Sequence, residues 1–159
     1  MQKDQLFYYR SELASWICQA TNFNVFVTLT LKQGLVENGY FRSLKRDDCV
    51  RTAWLFRDRL TQKIIGKTRR RRGEKIPIAA FVEGDNVTRL HLHFVATRPT
   101  EMTLERFQMA VCSAAVKLDW IHDRIDTRPI TYNTAEAVVR YCLETGTDAF
   151  LPEASCLRV

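Results

Sequence analysis

The stretch Ile76–Thr97, IPIAAFVEGDNVTRLHLHFVAT, decides the fold that we predict for this chain. Its two halves, Ile76–Glu83 and Arg89–Thr97, are rich in β-branched and aromatic residues, which favour β-strands. The segment Gly84-Asp85-Asn86 between them is typical of a hairpin turn. We therefore predict an antiparallel pair of strands near the middle of the chain.

The sequence on either side predicts more strands and several helices. Two further strands are predicted from their residue types and alternating polarity, over Asn22–Lys32 and His122–Ile130. Four helices are predicted from apolar spacing and capping residues, over about 1–20, 47–65, 103–118 and 134–144. The remaining segment, Gly34–Arg46, is predicted to be a loop with a turn at Asn38-Gly39. This order indicates a single α+β domain over residues 1–159, with a central antiparallel sheet flanked by helices.

The positive charge of the chain is concentrated in one segment. The 159 residues include 24 Lys and Arg against 18 Asp and Glu, a net charge of +6. Tyr40–Lys75 alone holds 13 basic and 4 acidic residues, so the rest of the chain is slightly negative. A local excess of this kind indicates a polyanionic partner such as nucleic acid, and a solvated helix face is the alternative.

Several classes of protein are disfavoured by what the sequence lacks. The five cysteines are scattered without a Cys-x-x-Cys pair, which argues against a disulfide scaffold and against a zinc ribbon. No signal sequence or run of about 18 apolar residues is found, so we expect an intracellular, cytoplasmic protein with no membrane partner. Neither GxGxxG nor GxxxxGK[ST] occurs, which argues against nucleotide hydrolysis and a built-in helicase.

His91 and His93 are the residues that first indicate chemistry. Residues i and i+2 of a strand project from the same face, so both imidazoles point to one side. The hairpin brings Glu83, at the end of the preceding strand, alongside them. One carboxylate and two imidazoles with open positions suit Mn²⁺ or Mg²⁺. The alternative is a pair of surface histidines beside a solvated acid.

Three motifs in order resemble the His-hydrophobic-His (HUH) superfamily of single-strand DNA endonucleases, in its replication-initiator branch. FVTLT, Phe26–Thr30, resembles the first motif, and His91-Leu92-His93 the second, with Glu83 where viral-type initiators carry a third metal ligand. VVRYCLE, which contains Tyr141, resembles the third. The resemblance covers about residues 22–145 and implies the ferredoxin-like nuclease fold of that family.

The activity implied by the resemblance is metal-dependent nicking and joining of single-stranded DNA. Tyr141 would attack a phosphodiester, forming a 5′-phosphotyrosine bond and releasing a 3′-hydroxyl. The implied role is initiation of rolling-circle replication of a plasmid or phage at an origin hairpin, with a separate helicase. Tyr132 is the less favoured nucleophile, and His122 is predicted to be structural or to support the ligands.

Glu144 departs from the family pattern, because the third motif usually carries a lysine about three residues after the tyrosine. On a helix, Glu144 would share a face with Tyr141 and point into the same site. We therefore hold two hypotheses: Glu144 is an additional metal ligand or a base for Tyr141, or it weakens the site.

The densest basic run is predicted to be an exposed loop that contacts DNA phosphates. The residues concerned are Lys67, Arg69, Arg70, Arg71, Arg72 and Lys75. Two alternatives to the replication initiator stay open. One is a single-strand DNA transposase with the same chemistry, and the other is a non-catalytic nucleic-acid-binding domain.

Overall fold

The central sheet is fully antiparallel, and its four strands lie in the spatial order β4-β5-β1-β6. The computed structural model describes residues 3–19, 21–84, 89–130 and 134–158. The strands are β1 (Val25–Leu31), β2 (Gly34–Glu37), β3 (Tyr40–Ser43), β4 (Ile78–Glu83), β5 (His91–Ala96) and β6 (Ile121–Pro129). The helices are α1 (Lys3–Gln19), α2 (Arg46–Arg71), α3 (Leu104–Ala115) and α4 (Ala135–Cys142). The predicted α+β class and the predicted central strands are confirmed.

Helices cover both faces of the sheet, and each face has its own apolar core. On one face α2 and α3 pack on the side chains of Leu92 and Phe94, and Phe56 of α2 lies with its ring centroid 4.7 Å from that of Phe94. On the other face α1 and α4 pack on Phe81 and Val95. Because side chains alternate along β5, His91 and His93 belong to the face that α1 and α4 cover.

A second, two-stranded sheet replaces the predicted loop over 34–46. The strands β2 and β3 pair antiparallel, from Gly34 opposite Ser43 to Glu37 opposite Tyr40. Asn38 and Gly39 both have positive φ, 52° and 81°, as the tight turn of a hairpin requires. The turn was predicted correctly. The strands were missed because they are short and mostly exposed, so no buried side imposes an alternating pattern.

Helix α2 continues into the basic run, so the prediction of a loop was wrong from Lys67 to Arg71. The predicted exposure is confirmed for most of the run, and residues 72–75 are not helical. The helix bends at Gly66, which has φ 80° and ψ 163°, and helical structure then continues to Arg71. Arg70 forms an ion pair with Asp58, which lies twelve residues earlier on the same helix, at 2.6 Å. That ion pair crosses the bend and stabilises the extra turns.

The hairpin of β4 and β5 places Glu83 alongside the two histidines, as predicted. Glu83 lies opposite His91, and Phe81 lies opposite His93. Of its turn, Gly84 lies within the described residues, whereas Asp85 and Asn86 lie outside them. The next helix, α3, is capped as predicted by Thr103, whose side chain accepts a hydrogen bond from the backbone N–H of Arg106.

The segment after α4 completes the free edge of the sheet. Ile78 and Cys156 exchange two backbone hydrogen bonds, of 2.8 and 2.7 Å, and Phe81 forms a bridge with Phe150. No regular pattern in the sequence predicts this edge pairing, which depends on the backbone. All five cysteines are free. No helix within the described residues is long and apolar enough to cross a membrane.

Candidate active site

Two strands and one helix place the candidate residues around a single cleft of about 630 Å³. Glu83 ends β4, His91 and His93 lie on β5, and Tyr141 lies on α4. The cleft wall is completed by Phe26, Thr28, Arg89, Asp126 and Arg128. The four residues that sequence motifs single out therefore lie together, although Tyr141 belongs to a helix distant in sequence from the hairpin.

His93 is the most enclosed of these residues, with a relative exposure of 4%. Its Nε2 contacts the Glu83 carboxylate, and its Nδ1 lies 3.0 Å from the Thr28 hydroxyl. The ring stacks on Phe26 at a centroid distance of 5.3 Å. Burial lowers the pKa of the imidazole, and the contact with Glu83 opposes that effect. His93 is therefore neutral at pH 7, which is the protonation state that a metal ligand needs.

Tyr141 lies against the same carboxylate. Its helix is anchored by buried Val139 and Cys142, which leaves Tyr141 facing the cleft with a relative exposure of 44%. The phenol donates a hydrogen bond of 3.3 Å to Oε2 of Glu83, and its ring centroid is 6.0 Å from that of His93. Partial burial and the negative charge of Glu83 raise the pKa of the phenol. Tyr141 is thus protonated at neutral pH, and its hydroxyl proton is hydrogen-bonded to a carboxylate.

The donor set fits a hard or borderline divalent cation by its chemistry. Glu83, His91 and His93 all line the cleft, and they supply one oxygen and two nitrogen ligands. Within the described ranges, however, no three His, Cys, Asp or Glu side chains are grouped closely enough to hold a metal ion. Glu83 contacts Nε2 of His93 directly, and the ring centroids of His91 and His93 lie 6.0 Å apart. To bind a metal ion, the Glu83 carboxylate and the His93 imidazole would have to separate and each contact the cation instead.

The other residues singled out from the sequence lie around the cleft or outside the described residues. Glu144 follows the end of α4, is exposed and is not among the residues that line the cleft, so its role as a ligand or as a base for Tyr141 stays a prediction. Helix α4 ends at Cys142, and the backbone N–H of Glu144 still donates a hydrogen bond of 3.0 Å to the carbonyl of Tyr141. Its charge still contributes to raising the pKa of Tyr141. Tyr132 lies outside the described residues. His122 lines a neighbouring cleft with His91.

The basic run does not line the described cleft. It ends helix α2, whose buried residues pack on the Leu92 and Phe94 face of the sheet, opposite to the histidines. Two of its arginines form ion pairs with acidic residues, Arg69 with Glu74 and Arg70 with Asp58. A contact of the run with DNA stays a prediction, and it would be made on a surface separate from the cleft.

Sequence reasoning did not assign roles to the polar cleft residues on β1, β6 and the segment before β5. Thr28 and His93 are directly opposite in the register of β1 with β5, and Asp126 is opposite Thr28 on the other side. Arg89 precedes His91 by two residues. The same period of two that relates His91 to His93 could have predicted that Arg89 lies on their face of the sheet.

The comparisons with known proteins give no relative. No family model, no curated protein and no solved structure matches this chain.

Proposed function

We propose that this chain nicks and rejoins single-stranded DNA in a metal-dependent reaction, with Tyr141 as the nucleophile. The observation that carries the proposal is the contact of the Tyr141 hydroxyl with Glu83, 3.3 Å away, in the cleft that His91 and His93 also line. A nucleophile beside metal-binding residue types is the arrangement that phosphodiester transfer needs. The motif resemblance points to the same chemistry.

The reaction conserves the phosphodiester bond energy. The Tyr141 oxygen forms a bond to phosphorus while the bond from phosphorus to the 3′-oxygen breaks, which leaves a 5′-phosphotyrosine link. The phenol proton passes to the Glu83 carboxylate, which accepts its hydrogen bond. The departing 3′-oxygen gains a proton as it becomes a hydroxyl. Attack by a 3′-hydroxyl reverses these steps and reseals the strand.

Glu83, His91 and His93 would hold the divalent cation, Mn²⁺ or Mg²⁺. When bound, the cation neutralises charge on the phosphate. The chain itself contributes the orientation of the ligands, because Thr28 and Phe26 fix the ring of His93 from two sides. The exposure of Tyr141 leaves it accessible to a strand that enters the cleft.

The biological role that we propose is initiation of rolling-circle replication of a plasmid or phage, with a separate helicase unwinding the DNA. It is supported by the position of Glu83 before the two histidines, as in the replication-initiator branch. A single-strand DNA transposase would use the same cleft, and recognition of two element ends by a dimer would favour it.

The test is covalent capture. The protein is incubated with Mn²⁺ and a 5′- and 3′-labelled pool of randomised single-stranded DNA, and adducts are resolved on a denaturing gel and sequenced. We expect an adduct that retains the 3′ label and needs Mn²⁺. It should be lost in Tyr141→Phe and retained in Tyr40→Phe, a matched control at an exposed tyrosine on β3.

The same assay separates the alternatives. An adduct of equal yield in Tyr141→Phe would overturn the assignment of the nucleophile. Binding of DNA without any adduct in the native protein would identify a non-catalytic nucleic-acid-binding domain instead.

Glu144 is tested by two substitutions, Glu144→Gln and Glu144→Lys, with calorimetric titration of Mn²⁺ beside the capture assay. Because Glu144 does not line the cleft, we expect unchanged Mn²⁺ affinity, which would eliminate the ligand hypothesis. A higher adduct yield in Glu144→Lys would support the hypothesis that glutamate weakens the site.

A further inference from the structure

The cleft that contains Tyr141 continues into a second one across the sheet. Arg89 and His91 line both clefts, and the second is completed by Thr30, His122 and Arg124. Together they form a polar groove, which we define as the strip from Tyr141 through Arg89 to Arg124. It runs from β4 toward β6, and a span of three strand spacings corresponds to roughly 14 Å.

The groove carries positive charge that is free to meet a phosphate. Arg89 and Arg124 are exposed, and neither forms an ion pair with any residue in the part of the chain that the structure describes. Arg128 in the first cleft is different, because it forms an ion pair of 2.6 Å with Asp126. Unpaired guanidinium groups along one strip favour a phosphate backbone.

The chemistry of the proposed function gives this groove a strand polarity. In an in-line displacement at phosphorus, the attacking and leaving oxygens lie on opposite sides. Tyr141 approaches from the β4 side, where it contacts Glu83. For a phosphate placed between Tyr141 and β6, the leaving 3′-oxygen and the DNA attached to it would depart toward β6, where Arg124 lies.

We propose that Arg89 and Arg124 bind the phosphates of the DNA segment on the 5′ side of the scissile bond, the segment that carries the released 3′-hydroxyl. The proposal rests on the proposed function and goes beyond it by assigning a binding site and a direction to the substrate strand. Its consequence is that the released end stays beside the phosphotyrosine. A second 3′-hydroxyl strand that arrives for joining uses the same two arginines.

The first test measures binding without chemistry. In a Tyr141→Phe background, the affinity for a 15-residue oligothymidylate is measured by fluorescence anisotropy at several salt concentrations. We compare Arg89→Gln/Arg124→Gln with Arg106→Gln/Lys117→Gln, which removes the same charge from the α3 side of the sheet. We expect at least a tenfold loss in the first variant, with a salt slope smaller by about 1.4 for two phosphates. Equal affinities in the two variants would overturn the assignment of the groove as a DNA-binding site.

The second test measures direction. The isolated covalent adduct is supplied with the released 3′-hydroxyl strand, and the strand concentration that gives half-maximal joining is determined. We expect this concentration to rise at least tenfold in Arg89→Gln/Arg124→Gln and to be unchanged in the α3-side control. An equal value in both variants would overturn the strand assignment alone. Failure of the native protein to form any adduct would overturn the proposed function together with this inference.

Discussion

Replacement of Thr28 by valine tests how the buried imidazole of His93 is held. Valine keeps the shape of threonine but removes the hydroxyl that lies 3.0 Å from Nδ1. His93 is only 4% exposed, so water cannot readily take the place of that hydroxyl. The substitution leaves a buried polar nitrogen without its partner while creating no cavity.

The expected loss of stability follows from that geometry. A buried polar atom left without a hydrogen-bond partner costs about 1–3 kcal/mol. For a chain of 159 residues, this corresponds to a decrease in Tm of about 3–9 °C. The free energy of unfolding is measured by urea denaturation, with Thr30→Val as the control. Thr30 lies on the same strand face and pairs with His91.

A second readout separates positioning of the ring from simple packing. A hydroxyl can donate or accept a hydrogen bond, so Thr28 serves either tautomer of His93. If His93 is a metal ligand, loss of this partner should lower the Mn²⁺ affinity by about 10–100-fold, measured by calorimetry. A stability loss below about 0.5 kcal/mol, or Mn²⁺ binding equal to that of Thr30→Val, would refute the reasoning.

Three further predictions concern the turn, the imidazole and the thiols. Gly84→Ala should lower the free energy of unfolding by about 1–3 kcal/mol more than Gly73→Ala does. Both glycines have positive φ, but only at Gly84 would an added Cβ lie within 3.0 Å of backbone atoms. Equal losses in urea denaturation would contradict this. The pKa of His93 is lower in the folded chain than in the unfolded chain, so the unfolded chain binds a proton more readily. The free energy of unfolding should therefore fall as pH decreases below about 6.5. The slope of unfolding free energy against pH should be smaller in His93→Gln, and an unchanged slope would count against burial as the cause. At pH 8, a disulfide reagent should modify exposed Cys112 rapidly and leave Cys49 unmodified, because burial raises the pKa of the Cys49 thiol to about 11. Equal rates of modification in a mass-spectrometric time course would exclude this.

The sequence predicted the central elements well where burial imposes a pattern. The strands β1, β4 and β5 are apolar on at least one face, so residue type alone indicates them. The hairpin β2–β3 was missed because its strands are mostly exposed. The helical continuation to Arg71 was missed because the stabilising ion pair of Arg70 with Asp58 joins residues across a bend at Gly66.

The candidate site divides in the same way. The period of two predicted that His91 and His93 share a face, and the hairpin predicted Glu83 alongside them, because both relations are local in the chain. The sequence alone could not place Glu144, whose position depends on where α4 ends. It also assigned a DNA contact to the basic run, which stays a prediction, and it gave no role to Arg89 and Arg124, which line the second cleft.

Local periodicity and residue type are enough to predict the α+β class, the central hairpin and the shared face of the two histidines. Which residues meet in the cleft depends instead on how distant parts of the chain pack together. The contact of Tyr141 with Glu83 and that of Thr28 with His93 each join residues far apart in the chain. They depend on the packing of α4 against the sheet and on the pairing of β1 with β5, and no local pattern specifies either.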